Sequence, residues 1–277
     1  MNLSADDDSY LADISDGLLT LTFNRPEHGN ALPSTAVPGL VRLFRQSQAD
    51  PSVRCIRVQG KGKIFSAGGD VGSFANSIKQ EVPLRQADFA RRLGILAELV
   101  EAVAAFDRPI VAVIRGAVAG AGLMYALIAD YTVGDDSATF VFAHQRVGLV
   151  PDGGVSFLLP RVVGARMART LLLTAAKLDA HEAYRLGILT RIVPSDQLEA
   201  EGMMIARRFA LAPQRAVSVT KRLINAAETS SLADQLQSEK EGIVACVGDP
   251  DFNEGVLAFV EKRKANFPSA RDKPGQS

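Results

Sequence analysis

Two glycine-rich turns in this chain could present backbone N–H groups to a bound anion. The first turn ends in Ala67-Gly68-Gly69-Asp70 and the second runs from Gly116 to Gly122, and each follows a β-rich run. Glycine lacks a Cβ, so a ligand can approach the backbone closely and positive φ angles can aim consecutive N–H groups to one side. A helix that begins near Gly120 would leave its first N–H groups unpaired at the positive end of its dipole. The two turns together predict a two-donor oxyanion hole, although glycines that only allow a strand to pack closely on a helix would give the same pattern.

Composition and short motifs exclude several other classes of protein. Neither turn has the glycine pattern of a dinucleotide-binding fold or of a P-loop. Lys plus Arg and Asp plus Glu each number 31, so the formal net charge of zero gives no reason to expect nucleic acid or a membrane surface as a partner. Cys55 and Cys246 form neither a disulfide framework nor a metal-ligand spacing, and the three histidines are far apart, so we expect no metal. The absence of a signal sequence and of a long apolar run predicts a cytoplasmic protein.

The order of elements predicts an α/β core over residues 1–195, followed by a helical region over 196–277. Strands are expected at 17–23, 53–59, 109–114, 131–134 and 139–142, and helices at 33–48, 84–105 and 120–129. Strands that alternate with helices favour a largely parallel sheet. Beyond Pro194 the pattern is wholly helical, with helices expected at 196–211, 213–228, 232–246 and 250–265.

A series of motifs, read in order along the chain, resembles the enoyl-CoA hydratase/isomerase (crotonase) superfamily. The motifs are Phe23–Glu27 with Asn30–Leu32, Lys63–Val71, Arg108–Val113 leading into Gly116–Gly122, Val147–Gly154, Leu159–Gly164, Ala183–Leu189 and Glu254–Arg263. The resemblance covers nearly the whole chain. It implies a spiral of ββα units that carries the coenzyme A site, followed by a C-terminal helical region that forms a homotrimer or a dimer of trimers.

The resemblance also implies the residues that bind an acyl-CoA thioester. The backbone N–H groups of Gly69 and Ala121 fall where the two oxyanion donors of the family lie. Coenzyme A is part of the substrate, so no separate cofactor is expected. The other substrate contacts implied are Arg25, Lys63, Ser66, Ala67, Gly68, Asp70, Gly120 and Met124, with Phe259 and Lys262 contributed by a neighbouring subunit.

The side chains at the catalytic positions depart from those of a two-glutamate hydratase. Met124 and His144 occupy the two glutamate positions, and a thioether cannot transfer a proton. Hydration by the two-glutamate route is therefore not expected. Some isomerases of the family place a single catalytic carboxylate where this chain has Asp152. The alternative for Asp152 is an ordinary cap on a helix that begins near Gly153, and the alternative for His144 is a residue that only lines the pocket.

These residues predict an enzyme of fatty acid metabolism that shifts an enoyl-CoA double bond. One base that takes a proton from C2 and returns it at C4 suffices for this reaction, and Asp152 is the candidate. A hydratase that uses His144 or Asp152 with a water is the alternative within the same class. A catalytically silent acyl-CoA-binding subunit is the alternative from a different class.

Overall fold

A six-stranded, mainly parallel sheet forms the centre of the fold. The computed structural model describes residues 3–69 and 71–271. The strands within these residues are β1 (Tyr10–Ser15), β2 (Leu18–Phe23), β3 (Cys55–Gly60), β4 (Ile110–Ile114), β5 (Ala117–Ala119), β6 (Tyr131–Gly134), β7 (Thr139–Val141), β8 (Lys177–Leu178) and β9 (Arg191–Ile192). The sheet has the order β1-β2-β3-β4-β6-β9; β1 is antiparallel to β2, and the pairs that follow are parallel.

Helices cover both faces of this sheet. They are α1 (Val37–Ala49), α2 (Val71–Ser77), α3 (Val82–Ala104), α4 (Gly122–Ile128), α5 (Val155–Val163), α6 (Ala165–Leu173), α7 (Ala180–Arg185), α8 (Leu198–Ala210), α9 (Gln214–Ala226), α10 (Leu232–Val247), α11 (Pro250–Val260) and α12 (Pro268–Arg271). None of the helices described is both long enough and apolar enough to cross a membrane.

The central strand β4 is apolar at every position because it is covered on both faces. Its five residues are all buried. Ile110, Ala112 and Ile114 face the main core with α1, α3 and α4, while Val111 and Val113 face a second cluster that includes residues of α8. A strand covered on both faces needs a continuous apolar run instead of an alternating one.

A second, smaller sheet sets the position of the candidate site. It contains β5, β7 and β8; β5 pairs parallel with β7, and β7 pairs antiparallel with β8. Ala119, the last residue of β5, lies opposite Val141, the last residue of β7. Parallel strands end at the same edge of a sheet, so the second glycine turn and His144 leave the sheet at one place.

The predicted α/β class is confirmed, and the five predicted strands are all present with ends that differ by two residues at most. The predicted helix 250–265 was too long, because α11 ends at Val260 and Lys262 adopts a left-handed conformation with φ of 55°. Strand β1 was missed because the polar residues Asp13 and Ser15 interrupt it, so it lacks a continuous apolar run. The very short strands β5, β8 and β9 and the helices α2, α6, α7 and α12 were also missed, whereas α5 begins two residues after Gly153, near where a helix was considered.

The region after residue 195 is helical, as predicted, but its first helix, α8, packs against the central sheet. Leu198, Ile205 and Ala206 of α8 pack under the sheet with Val111 and Val113. Helices α9 to α11 expose many large apolar side chains: Ile224, Leu232, Leu236, Ile243, Val244, Val247, Phe252, Val256, Leu257, Phe259 and Val260. The division at 195/196 and the trimer stay predictions.

Candidate active site

The two glycine-rich turns lie side by side. Ser66 pairs with Val118 through a parallel bridge, in which Ser66 N–H donates to Ala117 O at 3.2 Å and Ala119 N–H donates to Ser66 O at 2.9 Å. On its other side the first turn pairs with Leu32, whose N–H donates to Gly68 O at 2.9 Å. The first turn is therefore held between residue 32 and the start of the second turn.

Glycine is required where the turns touch. Gly68 has φ of +89°, and a Cβ placed on it would lie 2.7 Å from Ala119 O and 2.8 Å from Gly120 Cα. Gly120 has φ of +48°, and a Cβ there would lie 3.2 Å from Gly68 Cα and 3.6 Å from Gly69 N. Both residues have positive φ; a side chain at Gly68 would collide with backbone, and one at Gly120 would have a tight backbone contact. The amide of Gly69 consequently lies beside the turn that leads to Ala121.

The amides of Gly69 and Ala121 differ from those of their neighbours in the turns. Among the described residues, neither N–H donates a hydrogen bond to a protein acceptor. Ala121 is the residue at the N-terminal cap of α4, where N–H groups lack partners within the helix. These two amides can therefore donate to a group that comes from outside the chain.

The side chain of Asp152 lies beside His144. His144 Nε2 is 3.5 Å from Asp152 Oδ1, and the two side chains are 12% and 37% exposed. A 3-10 turn at His144–Val147, the left-handed Gly148 and a hydrogen bond from Leu149 N–H to His144 O at 3.1 Å fold the intervening loop back on itself. The loop thus brings together two residues that are eight positions apart.

Asp152 does not cap the following helix. The cap residue of α5 is Gly154, and no side chain accepts a hydrogen bond at this cap. Asp152 Oδ1 is buried and has no hydrogen-bond partner within the described part of the chain. The interpretation of Asp152 as an ordinary helix cap was therefore wrong.

Gly153 joins the carboxylate loop to the second turn. A Cβ on Gly153 would lie 3.7 Å from Ala121 Cα and 3.9 Å from the Cβ of Met124. The residue that follows Asp152 therefore packs against the first turn of α4. Met124 itself is fully buried, so its side chain lines no open surface.

The other residues predicted to contact the substrate differ in burial and in hydrogen bonding. Ser66 is fully buried; its hydroxyl donates to Asn30 O and accepts from Gly68 N–H, and its backbone N–H and carbonyl form the bridge to the second turn. Arg25 Nη1 donates to Ala31 O at 3.1 Å. Lys63 and Ala67 are exposed. Asp70 lies outside the described residues.

Phe259 lies in the last turn of α11 and Lys262 lies just after this helix, far along the chain from the turns. Phe259 is 86% exposed. It lines a groove of about 470 Å³ among the C-terminal helices, which also contains Cys246, Phe252 and Val256 but none of the other predicted site residues. Whether a neighbouring subunit brings these residues to coenzyme A stays a prediction.

Asn30 is a residue of the site that the sequence reasoning did not assign. Its side-chain amide donates to Lys61 O at 2.9 Å and to Ile64 O at 2.6 Å, and its Oδ1 accepts from Arg25 N–H at 2.9 Å. Asn30 is 1% exposed and has φ of 55°. It fixes the segment that leads into the first turn, and its place in the motif Asn30–Leu32 was the signal available.

Metal chemistry finds no support in the side chains. Within residues 3–69 and 71–271, no group of three or more His, Cys, Asp or Glu side chains is placed to hold a metal ion. The site consists of backbone amides, one carboxylate and one imidazole.

Comparison with known proteins identifies the family. Residues 13–270 match the sequence profile of the family described as Enoyl-CoA hydratase/isomerase. The crystal structure of an enoyl-CoA hydratase from Bacillus anthracis superposes with a TM-score of 0.86 at 25% identity, over 94% of this chain and 99% of that one. The fold is therefore the crotonase fold, as the resemblance predicted.

Individual relatives carry different activities. A 1,2-epoxyphenylacetyl-CoA isomerase of Escherichia coli K12 is 33% identical over 93% of this chain and 97% of its own. A crotonyl-CoA hydratase of Syntrophomonas wolfei is 32% identical over 91% of this chain and 95% of its own. The chain belongs to the enoyl-CoA hydratase/isomerase family and is an enzyme of the hydratase or isomerase type.

Proposed function

We propose that this enzyme is an enoyl-CoA isomerase that moves a double bond from C3 to C2 of an acyl-CoA thioester, with Asp152 as its single base. The proposal rests on the exposure, the hydrogen bonding and the position of Asp152. Its side chain is 37% exposed, one oxygen lacks a hydrogen-bond partner among the described residues, and its loop packs on Ala121 through Gly153. A carboxylate without a hydrogen-bond partner for Oδ1, in a loop that packs on the residue of one unpaired amide, suits proton transfer at an enolate, as far as the described residues extend.

The reaction begins with the thioester oxygen accepting hydrogen bonds from Gly69 and Ala121. Asp152 removes a proton from C2, and the electron pair spreads over the thioester and the C3–C4 double bond as a dienolate. Return of the same proton to C4 gives the conjugated 2-enoyl thioester, so atoms and electrons balance with no further reactant. Each oxyanion donor is worth about 2.7 to 4 kcal/mol of transition-state stabilisation in enzymes of this kind.

Hydration of a 2-enoyl-CoA is the second candidate, and one observation favours it. His144 Nε2 lies 3.5 Å from Asp152 Oδ1, so an imidazole and a carboxylate form one pair. In this candidate, the pair activates a water at the exposed part of the Asp152 side chain and delivers a proton. Met124, at the other position where a hydratase has a glutamate, cannot take part because a thioether carries no transferable proton.

The coenzyme A part of the substrate fits the exposed part of the first turn. Lys63 and Ala67 are exposed, so the Lys63 ammonium can meet a phosphate and the main chain at Ala67 can contact the nucleotide, while the buried Ser66 and Gly68 support this segment. In this proposal Arg25, Phe259 and Lys262 contribute at the nucleotide end, the last two from a second copy of the chain in a trimer.

The proposal is tested with 3-enoyl-CoA and 2-enoyl-CoA of matched length, by following the absorbance of the conjugated thioester. Isomerisation raises the absorbance from the first substrate, and hydration lowers it from the second. Asp152→Asn should abolish isomerisation while acyl-CoA affinity is retained. Asp136→Asn, which changes an exposed aspartate paired with His181, is the matched control and should keep wild-type turnover. Turnover by Asp152→Asn at the wild-type rate would refute the role of Asp152. Binding of both thioesters without reaction would favour a silent subunit.

A further inference from the structure

The ring of His144 is an unused polar group next to the proposed base. Both ring nitrogens of His144 and the Oδ1 atom of Asp152 are buried and have no hydrogen-bond partner among the residues described. A buried polar atom left without a partner costs about 1–3 kcal/mol. The fold maintains three such atoms in one place.

The separation of the pair is slightly longer than a hydrogen bond. Nε2 and Oδ1 are 3.5 Å apart, whereas N–H···O bonds span about 2.7–3.2 Å. A movement of a few tenths of an ångström would complete the bond. Catalytic hydrogen bonds are often long in a free enzyme and tighten when the substrate binds.

The backbone that carries His144 is fixed from the side of α6. Arg146 Nη2 donates to Ala175 O at 2.9 Å, and the amide of Gln145 donates to Leu173 O. These two bonds tie the 3-10 turn to the end of α6. The backbone at His144 is therefore fixed. The His144 side chain can hold Asp152, which lies in the loop that follows.

We propose that His144 is a positioning residue: its Nε2–H donates to Asp152 Oδ1 and holds the carboxylate so that Oδ2 faces the substrate carbons. The inference rests on the proposed isomerase function. Oδ1 has no exposed surface although the side chain as a whole is 37% exposed, so Oδ2 is the oxygen left to take the proton from C2 and return it to C4. His144 keeps its own proton throughout the cycle.

Three substitutions of His144 test the proposal. His144→Leu keeps the volume but removes the donor, and it should lower kcat on the order of 10²-fold, the usual effect of a catalytic group misplaced by about 1 Å. KM and the dissociation constant for a saturated acyl-CoA should change by less than about twofold, because the oxyanion amides are untouched. His144→Gln places an N–H near the position of Nε2 and should restore most of kcat. His144→Asn is too short to reach Asp152 and should remain as slow as the leucine variant.

The control is His181→Gln, which changes an exposed histidine of α7 and should retain wild-type kcat. Should His144→Leu fail to fold, the contrast between the glutamine and asparagine variants still decides. Wild-type kcat in His144→Leu or His144→Asn would overturn the inference. Equal loss in all three variants would also overturn it, because the imidazole itself would then be required. Failure of the isomerase proposal is recognised separately, since the wild-type enzyme would then produce no rise in absorbance from 3-enoyl-CoA.

Discussion

Substitution of Gly68 by alanine should separate the two amides of the oxyanion hole. The new Cβ would lie 2.7 Å from Ala119 O and 2.8 Å from Gly120 Cα, both of them backbone atoms that no side-chain rotation can move. An ordinary contact for such a Cβ begins at about 3.4 Å, so the first turn must withdraw from the second by about 0.7 Å. The Gly69 amide, which follows directly, moves with it.

The magnitude follows from this displacement. A shift of about 1 Å in a positioned group can cost on the order of 10² in rate, so Gly68→Ala should lower kcat/KM by roughly 10- to 100-fold. The positive φ of +89° adds a strain of about 1–2 kcal/mol, which should lower stability. Activity is followed by the absorbance of the conjugated thioester, and stability by the urea midpoint.

Control substitutions at two other glycines distinguish backbone strain from steric collision as the cause of the lost activity. Gly187 has φ of +78° with open space around its Cβ position, so Gly187→Ala introduces the strain without the collision and should lose stability but keep activity. Gly94 in α3 has no neighbour within 4 Å and an ordinary helical backbone, so Gly94→Ala should keep activity and raise stability by about 0.5–1 kcal/mol. Wild-type kcat/KM in a folded Gly68→Ala protein, or an equal loss in Gly187→Ala, would refute the reasoning.

Two further predictions concern stability. Tyr125 is fully buried between Phe23 and Phe44, and this burial raises the pKa of its phenol. Its hydroxyl has no hydrogen-bond partner in the described part of the chain. Tyr125→Phe should therefore raise the free energy of unfolding by about 1 kcal/mol, measured by thermal unfolding. Burial raises the pKa of Asp135, but hydrogen bonds from Ser137 and Ser195 outweigh it, so the net pKa is lowered. A carboxylate whose folded pKa is depressed stabilises the protein above its unfolded value of about 3.9, and this contribution disappears as the pH falls below it. Asp135→Asn should hence lower Tm near pH 7 and make Tm fall less steeply between about pH 5 and 2; a curve parallel to that of the wild type would contradict this.

The sequence was informative where a local pattern carries the information. The turns at Gly68 and Gly120 were found because a glycine cluster after a β-rich run marks a backbone that must adopt unusual φ angles. Strand β6, Tyr131–Gly134, was predicted with the bounds observed, since its apolar run is short and ends at a glycine. The position of Asp152 followed from a motif, and its lack of a capping role required coordinates.

What the sequence could not show depends on contacts between distant residues. Asn30 holds the carbonyls of Lys61 and Ile64, which lie 31 and 34 positions further on, and an isolated asparagine gives no sign of such partners. Helical periodicity predicted α8, but it could not tell that this helix covers the sheet instead of joining the helices that follow. The meeting of His144 with Asp152 depends on the single left-handed residue Gly148 between them.

The glycines of the two turns can be explained by close packing or by anion binding, and in the structure the two explanations are compatible. Gly68 and Gly120 are glycines because the two backbones touch there, as the packing explanation requires. That same contact puts Gly69 N beside the turn that leads into α4, while the bridges to Leu32 and Val118 use the amides of other residues. Within the described residues the amides of Gly69 and Ala121 have no acceptor, while the packing of the turns uses the amides of their neighbours. A substitution that loosens the packing must therefore also disturb any ligand held by these amides, and loss of activity in Gly68→Ala would be the measurable sign of this coupling.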